Sequence, residues 1–534
     1  MRTIETLFHL ALADFRDRVR RFSFLILVLA TGSLGYLFVP PADAQYQTLS
    51  FGDIRGIYNS PWVGAMFGVM ISTLVALIAF YPLKNAVERD RQTRVGQIIA
   101  ITPMRKPVYV LGKWLSNLAL LVVLTAVMTA MAIAMQLVRA EETALHLWNL
   151  VVPLWAIGFP TLALVSAVAV IFECIPWLRG TWGNIVYFFL YMGVLIWTME
   201  GMMEVSGDRV VPANDPFGIS HVLSDMQRVV AQNDPNYSGA LIIGGATFTE
   251  TPRLFTWTGM HWADLIPGRL IWLGVAAGLA TAAALPFDRF DPARRRLRRR
   301  RRGRDSGGMD EPLASDRVEI RAQSVILTPL TARANRWRPL GILVAELRLA
   351  LKGLPWWWYV AMLALVVTQG VFEREIASML LLVAWLLPVS IWSAMGTRES
   401  RHQTGALVLS VAHPLRRQFF ASWLAGVIVA LLAGSSTVVR LLAGGDPGRA
   451  SAVLVGALFV PSLALALGVW SSTPRLFEVT YLILWYIAMN GAEALDFTGT
   501  VAAVWQPEIT LAYLGASGTL LVLALIGRWR QMSG

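Results

Sequence analysis

Long apolar segments alternate with short polar loops along almost the whole chain. A membrane helix needs about 20 mainly apolar residues. On that criterion spans are predicted at 22–39, 62–82, 115–138, 148–175, 185–203 and 270–286, then at 356–372, 377–397, 418–438, 451–470, 476–490 and 509–526. An amphipathic stretch precedes each set. Ile4, Leu7, Phe8, Ala11, Phe15, Val19 and Phe22 recur at helical spacing, with Asp14, Asp17, Arg18 and Arg21 on the other face. Leu340, Leu343, Val344, Leu347 and Leu351 repeat the pattern, opposed by Glu346, Arg348 and Lys352. Such helices lie in the interface plane with the apolar face in lipid. The expected fold class is therefore an all-α polytopic membrane protein of about 12 transmembrane helices. It falls into two six-helix halves, 1–286 and 336–534, each opened by an interfacial helix and joined by a linker, 287–335.

The halves share more than span count. Between the second and third segments of each lies a related polar stretch: ERDRQTRVGQIIAITPMRKPVYVLGKWLSN from Glu88 to Asn117, and ESRHQTGALVLSVAHPLRRQFFASWLAG from Glu399 to Gly426. With the glutamates aligned, Pro103 falls on Pro414, Arg105 on Arg416 and Lys106 on Arg417. Each stretch reads as a short amphipathic helix, Val95–Ile101 and Ala406–Val411, ended by a proline and then basic residues. Paired polar elements in a duplicated membrane chain suggest a transporter whose halves move against each other. These stretches are candidate docking elements for a soluble partner, with Glu88 and Glu399 meeting partner cations and the apolar face entering a groove.

Charge sets the expected orientation. Arg16, Arg18, Arg20 and Arg21 precede the first span, loop 83–114 is rich in Arg and Lys, and nine arginines fall between Arg294 and Arg304. The alternate loops carry few cations, so both termini are expected in the cytoplasm. The net charge of +12 is then a topology signal in contact with anionic lipid, not a nucleic-acid footprint. Only 15% of the 534 residues are charged, against about 25% in soluble domains. Two polar stretches are longer than a connector needs. Residues 204–268 should carry a turn at Asp215–Gly218 and a helix from Ile219 to Gln232, with Phe255, Trp257, Trp262 and Leu265 returning to the membrane surface. The arginine-rich linker reads as disordered. Asn236-Tyr237-Ser238 matches a glycosylation acceptor by pattern alone.

Chemistry is sparse. No GxxxxGK[ST] loop is present, so the chain is not expected to hydrolyse ATP. Cys174 is the single cysteine, the six histidines are scattered, and no GxSxG elbow appears, which argues against a metal site and a hydrolase. Ionisable residues at membrane depth are functional candidates by default. Glu173, Glu200 and Glu493 are the candidates here, each close to a span boundary, where a structural role competes. A midplane carboxylate, which a proton-coupled carrier would use, is lacking.

Here the sequence resembles the type-2 ABC exporter permease family over its whole length, as two permease domains fused in one chain. The resemblance rests on the Glu-start loop with Arg91 and Gly96, the turn Thr102-Pro103-Met104-Arg105-Lys106, the run Tyr109–Trp114 (YVLGKW), and the amphipathic helices at 4–21 and 340–354, which look like connecting helices. The second half departs where Trp423 stands for Gly112 and Leu424 for Lys113. The resemblance implies a bacterial inner-membrane exporter of an amphiphilic or lipidic small molecule, similar to exporters of polyketide antibiotics and other drugs. It also implies a separate ATP-binding subunit, in two copies, that holds ATP and magnesium and presses on the loops around Glu88–Lys106 and Glu399–Arg417. A gradient-driven carrier and a membrane scaffold that binds a partner through 204–268 remain the alternatives.

Overall fold

The computed structural model describes residues 2–41, 44, 46–84, 86–139, 141–142, 144–203, 215–234, 241–247, 252–290, 339–352, 354–402, 404–405, 415–489, 495–500 and 505–533. The predicted helix Ala406–Val411, Pro414, Glu493, the Asn236–Ser238 pattern and almost all of the linker lie outside them. The chain divides into two compact units, Met1–Ser306 and Gly307–Gly534.

The first unit begins with α1 (Arg2–Val19) and α2 (Phe22–Phe38), bent by 78° at their junction. Next come α3 (Ser60–Met70) and α4 (Ala76–Leu83), joined by a π turn at Ile71–Val75 into one long helix. Its start is set locally: the Asn59 side chain accepts the Trp62 N–H at 3.0 Å, and Pro61 occupies the first turn, where no N–H is needed. Two short helices, α5 (Ala86–Gln92) and α6 (Val95–Ile101), lead into α7 (Lys106–Arg139). Then follow α8 (Leu147–Pro153), a second π turn at Leu154–Gly158, α9 (Phe159–Cys174), α10 (Thr181–Met203), α11 (Ser220–Asn233) and α12 (Ile266–Ala282).

The second unit contains α13 (Pro339–Leu351), α14 (Trp356–Val371), α15 (Arg374–Ala384), α16 (Val389–Trp392) and α17 (Arg398–His402). A π turn at Leu415–Phe419 opens α18 (Phe420–Ala443), followed by α19 (Pro447–Ser471), α20 (Pro474–Met489) and α21 (Pro507–Ser533). A helix occupies every segment that the apolar pattern predicts. Eight, among the described residues, are long and apolar enough to cross a membrane, or up to ten if the bent pairs α1–α2 and α13–α14 each count as one span. The protein is a mostly helical, multi-pass membrane protein.

Four short strands were not legible in the sequence. β1 (Tyr46–Ser50) pairs antiparallel with β3 (Ile242–Thr247), and β2 (Ile54–Gly56) pairs parallel with β4 (Arg253–Phe255), Ile54 opposite Arg253. With α11 they form a small layer over one end of the first unit. The prediction that Phe255, Trp257, Trp262 and Leu265 return to the membrane is corrected here. All four are buried in this layer, where Trp62 meets Phe255 edge-on at 5.5 Å and Trp257 meets Trp262 at 5.9 Å. The layer is closed at its rim by Arg55, which donates to both oxygens of Glu141 at 2.6 Å. That bond outweighs the cost of burial and holds the Glu141 carboxyl below its ordinary range.

Candidate functional site

The predicted docking stretch of the first unit sits at the end of the bundle where α1, α7 and α9 converge. Its geometry explains why these residue types occur together. Helix α1 is amphipathic in the sense predicted, but part of its polar stripe packs on protein, while Asp17 and Arg21 pair with each other at the exposed side. Asp14 and Arg18 are buried, while Ile4 is 73% and Phe8 61% exposed. The apolar face is thus left for lipid, and the charged face is fixed by pairing.

Asp14 is the centre of that pairing. Its Oδ1 accepts from Lys113 Nζ at 2.7 Å and from Arg89 Nη2 at 2.5 Å, and its Oδ2 accepts from Ser116 Oγ at 2.7 Å and lies 3.0 Å from Arg18 Nε. Burial pushes the Asp14 carboxyl up, but Arg18 and Lys113 together outweigh it and hold it at about 2. Lys113 also lies 2.8 Å from Asp90, which accepts the Tyr109 hydroxyl at 2.8 Å. Arg18 donates onward to Asn117 at 2.7 Å. One network therefore ties α1 to α5 and to the first turns of α7.

The run YVLGKW becomes intelligible from this joint. Tyr109 and Lys113, one helical turn apart, reach Asp90 and Asp14. Gly112 lies against Leu10, whose Cδ2 would be 2.5 Å from an added Cβ, so the glycine permits the close approach of α1. Trp114 donates to the Ala163 carbonyl at 3.2 Å, reaching α9.

Glu173 fixes the other side of α5. From the last turn of α9, fully inside the protein, its carboxylate accepts the backbone N–H groups of Ala86 (3.0 Å), Val87 and Glu88 (3.1 Å). These are orphan donors at a helix start, and a carboxylate also complements the positive end of the helix. Arg179 closes the end of α9 by donating to the carbonyls of Glu173 (2.7 Å) and Cys174 (3.0 Å). Both Arg179 and Arg91 pair with Asp288, at 3.6 and 3.2 Å. Lys106 donates to the Phe287 carbonyl at 2.8 Å, and Gly96 lies beneath the Phe290 ring.

What is held on one side is open on the other. Val95, Ile98 and Ile101 of α6 are 42%, 62% and 85% exposed, three residues apart and so on one face. Ile99 and Met104 pack inward against the buried cluster that contains Val87, Tyr109 and Phe287. Pro103 and Arg105 are exposed, and Glu88 is half-buried. Glu200, on α10, is exposed and takes no part in this cluster.

The second unit is built on a simpler version. Glu346 of α13 pairs with Arg398 at 3.0 Å, as Asp14 pairs with Arg89. Burial, only partly offset by Arg398, raises the Glu346 carboxyl. Glu399 accepts from Arg528 of α21 at 2.7 Å and from Gln418 at 3.4 Å. Arg416 and Arg417 fall in the π turn before α18, and Arg417 is half-buried. Leu424, aligned with Lys113, is 39% exposed, and Trp423, aligned with Gly112, donates to Ser462 Oγ at 3.0 Å. A leucine cannot bridge two carboxylates, and among the described residues no equivalent of the Lys113 network forms there.

Of the buried cations that sequence reading did not single out, Arg269 makes the most hydrogen bonds among the described residues. Arg269, at the start of α12, is buried and donates to the carbonyls of Ala156, Ile157, Asp215 and Pro216 and to Thr161 Oγ1, all between 2.9 and 3.2 Å. Two of these carbonyls, Ala156 and Ile157, belong to the Leu154–Gly158 π turn, and Ile157 also accepts from Ser72 Oγ at 3.1 Å. The only signal was an arginine near a span end, indistinguishable from a boundary residue. No protein-family model and no curated protein sequence matches the chain.

Proposed function

We propose that this chain is the membrane subunit of an ATP-driven exporter of an amphiphilic or lipidic small molecule, powered by two copies of a separate ATP-binding subunit. The two units act as the paired halves. Each contributes six spans, twelve in all, when α2, α14, the α15–α16 pair and the short α20 are counted with the eight full-length helices. Both termini and the linker face the cytoplasm of a bacterial cell, as the arginine distribution supports.

The observation that carries the reading is α6. Its exposed stripe of Val95, Ile98 and Ile101 stands on a segment clamped from behind by Glu173, Asp14 and Lys113. An apolar stripe held rigidly at a polar end suits a groove on a soluble partner. Force applied there would pass through the joint to α1, α7 and α9 together. Glu88, Arg91, Gly96, Pro103, Arg105 and Lys106 form this loop, and Glu399, Pro414, Arg416 and Arg417 its counterpart. The resemblance to type-2 exporter permeases supplies the partner class.

The test is purification from native membranes in gentle detergent, wild type beside Ile98→Asp/Ile101→Asp. The expected result is a co-purifying ATPase near two per chain, lost in the variant while the chain still elutes as a folded particle. Recovery of the wild-type chain alone, folded and reproducibly free of an ATPase, overturns the assignment in favour of a gradient-driven carrier or a scaffold.

A further inference from the structure

The second span of each unit is interrupted near its middle, and both interruptions are held in the same way. In the first unit the π turn at Ile71–Val75 sends the Ala76 N–H to the Ile71 carbonyl, five residues back, so the Ser72 carbonyl loses that donor. In the second unit α15 stops at Ala384, four residues before Pro388, which has no N–H to give. The N–H groups of Leu386 and Val389 turn to Val383 and Leu386, three residues back, which draws them away from Leu382 and Trp385. Backbone carbonyls inside a span need a partner within the protein. The fifth span supplies it both times. Tyr191 of α10 donates to Ser72, and Tyr187, one turn earlier, donates to Ala76 at 3.0 Å. Trp485 of α20 donates to Leu382 at 2.8 Å, and Tyr481, one turn earlier, donates to Trp385 at 3.2 Å. All four side chains are buried. The sequence carries the same spacing twice, as YFFLY at 187–191 and YLILW at 481–485.

We infer that these are two copies of one conformational latch, in which aromatic donors of the fifth span lock a pivot in the second. The pieces on either side of the pivot are anchored differently. Before it, α3 lies against the backbone of α8: a Cβ at Gly64 would stand 2.3 Å from the Leu150 carbonyl oxygen, and one at Gly68 2.9 Å from that of Pro153. After it, Phe80 of α4 stacks on Tyr187 at 3.6 Å, so α4 and α10 belong together. Tyr191 reaches back from α10 to the π turn itself. The neighbouring helix turns at the same level, because Ser72 Oγ donates to Ile157, inside the Leu154–Gly158 π turn, at 3.1 Å. The pieces after the two pivots lead to matching places: α4 runs into α5, and α16 into α17, which carries Glu399. Displacement of a docking stretch would therefore reach its pivot directly, in the first unit through the eight residues of α4. Only that last link rests on the exporter reading; the latch belongs to the chain alone.

The experiment uses the full-length chain purified in detergent, without a partner. Tyr191→Phe and Tyr481→Phe each remove one hydroxyl and keep the ring. Amide exchange should accelerate about tenfold at 73–77 in the first variant and at 385–391 in the second, as expected for one lost hydrogen bond to a buried carbonyl. Exchange in α12 and α21 should not change. In a Cys174→Ser background, spin labels at Ile98→Cys and Trp148→Cys occupy exposed sites on α6 and α8, on either side of the pivot. Their distance should broaden or split in Tyr191→Phe. Labels at Ile98→Cys and Phe8→Cys, both on the docking side, should keep a single distance. The two tyrosine variants test separate copies, so failure of one to fold leaves the other decisive. Three results overturn the inference: unchanged exchange at the interruption in a folded variant, equal acceleration along the whole chain, or an Ile98–Trp148 label distance that neither broadens nor shifts.

Discussion

Replacing Asp14 by Asn tests whether the charge network, and not the apolar face, docks α1 on the bundle. Asp14 is nearly isostructural with Asn, so the packing persists and only the charge is lost. The wild-type network holds Arg18, Arg89 and Lys113 against Asp14 and Asp90. Removing one carboxylate leaves Lys113, whose side chain is 3% exposed, facing Asp90 alone, while Arg18 and Arg89 lose their buried partner. Breaking a buried pair in this way costs about 3–5 kcal/mol. The depression of the Asp14 carboxyl from 3.8 to about 2 corresponds to roughly 2 kcal/mol favouring its charged form, the same order. Lys113→Met, which puts an apolar side chain of similar reach in place of the cation, should also destabilise alone. The double variant should recover part of the loss, since it removes both members of the Lys113–Asp14 pair while Arg89 keeps Asp17 and Arg18 keeps Asn117. The assay is a thermal double-mutant cycle on the detergent-purified chain, read together with protease cleavage at α1. A coupling energy under about 0.5 kcal/mol would refute the network as the docking device. The sign with pH is fixed: Asp14 titrates lower in the fold than in the unfolded chain. Its contribution is therefore complete above about pH 4 and lost only as pH falls toward 2.

Glu173→Gln keeps one acceptor oxygen but removes the charge at the start of α5. Amide exchange at Ala86, Val87 and Glu88 should accelerate about tenfold, the equivalent of losing about 1–2 kcal/mol of cap, with little change at α12. Equal exchange in variant and wild type would show that the cap is unnecessary. Arg269→Met removes the donor to four carbonyl groups, of which Ile157 and Pro216 keep a hydroxyl from Ser72 or Thr161, and should lower stability by about 3 kcal/mol. Scanning fluorimetry checks this; a melting shift under about 2 °C would mean that other donors replace the guanidinium.

Much of the fold was written in one dimension. A helix lies at every predicted apolar segment because the hydrocarbon layer demands a length and a continuous hydrogen-bonded backbone, and both are legible as runs of apolar residues. Helix α6 spans Val95–Ile101, the residues its period predicts, with the stop set by the Thr102-Pro103 turn. Helix α11 begins one residue from its expected start because Val222, Leu223, Met226 and Val230 form a buried stripe. The strands did not announce themselves. β1 and β3 are almost 200 residues apart in sequence, and β3 and β4 lie in a stretch with no clear alternation.

The sequence by itself determined the membrane class, the order of helices and the presence of two related loops, because each is a property of local composition and period. It also marked Asp14 on the polar face of the first helix, Lys113 in the run YVLGKW and Glu173 near a span end. Only the tertiary structure decided what they do. A carboxylate at residue 14 and an ammonium at residue 113 attract each other usefully only when both are buried within 2.7 Å, since in water the same pair is worth almost nothing. Pattern reading put the apolar face of α1 in lipid and left open which of Asp14, Asp17, Arg18 and Arg21 would meet water. Packing buried Asp14 and Arg18 because three cations and two carboxylates, brought from three helices, satisfy one another there.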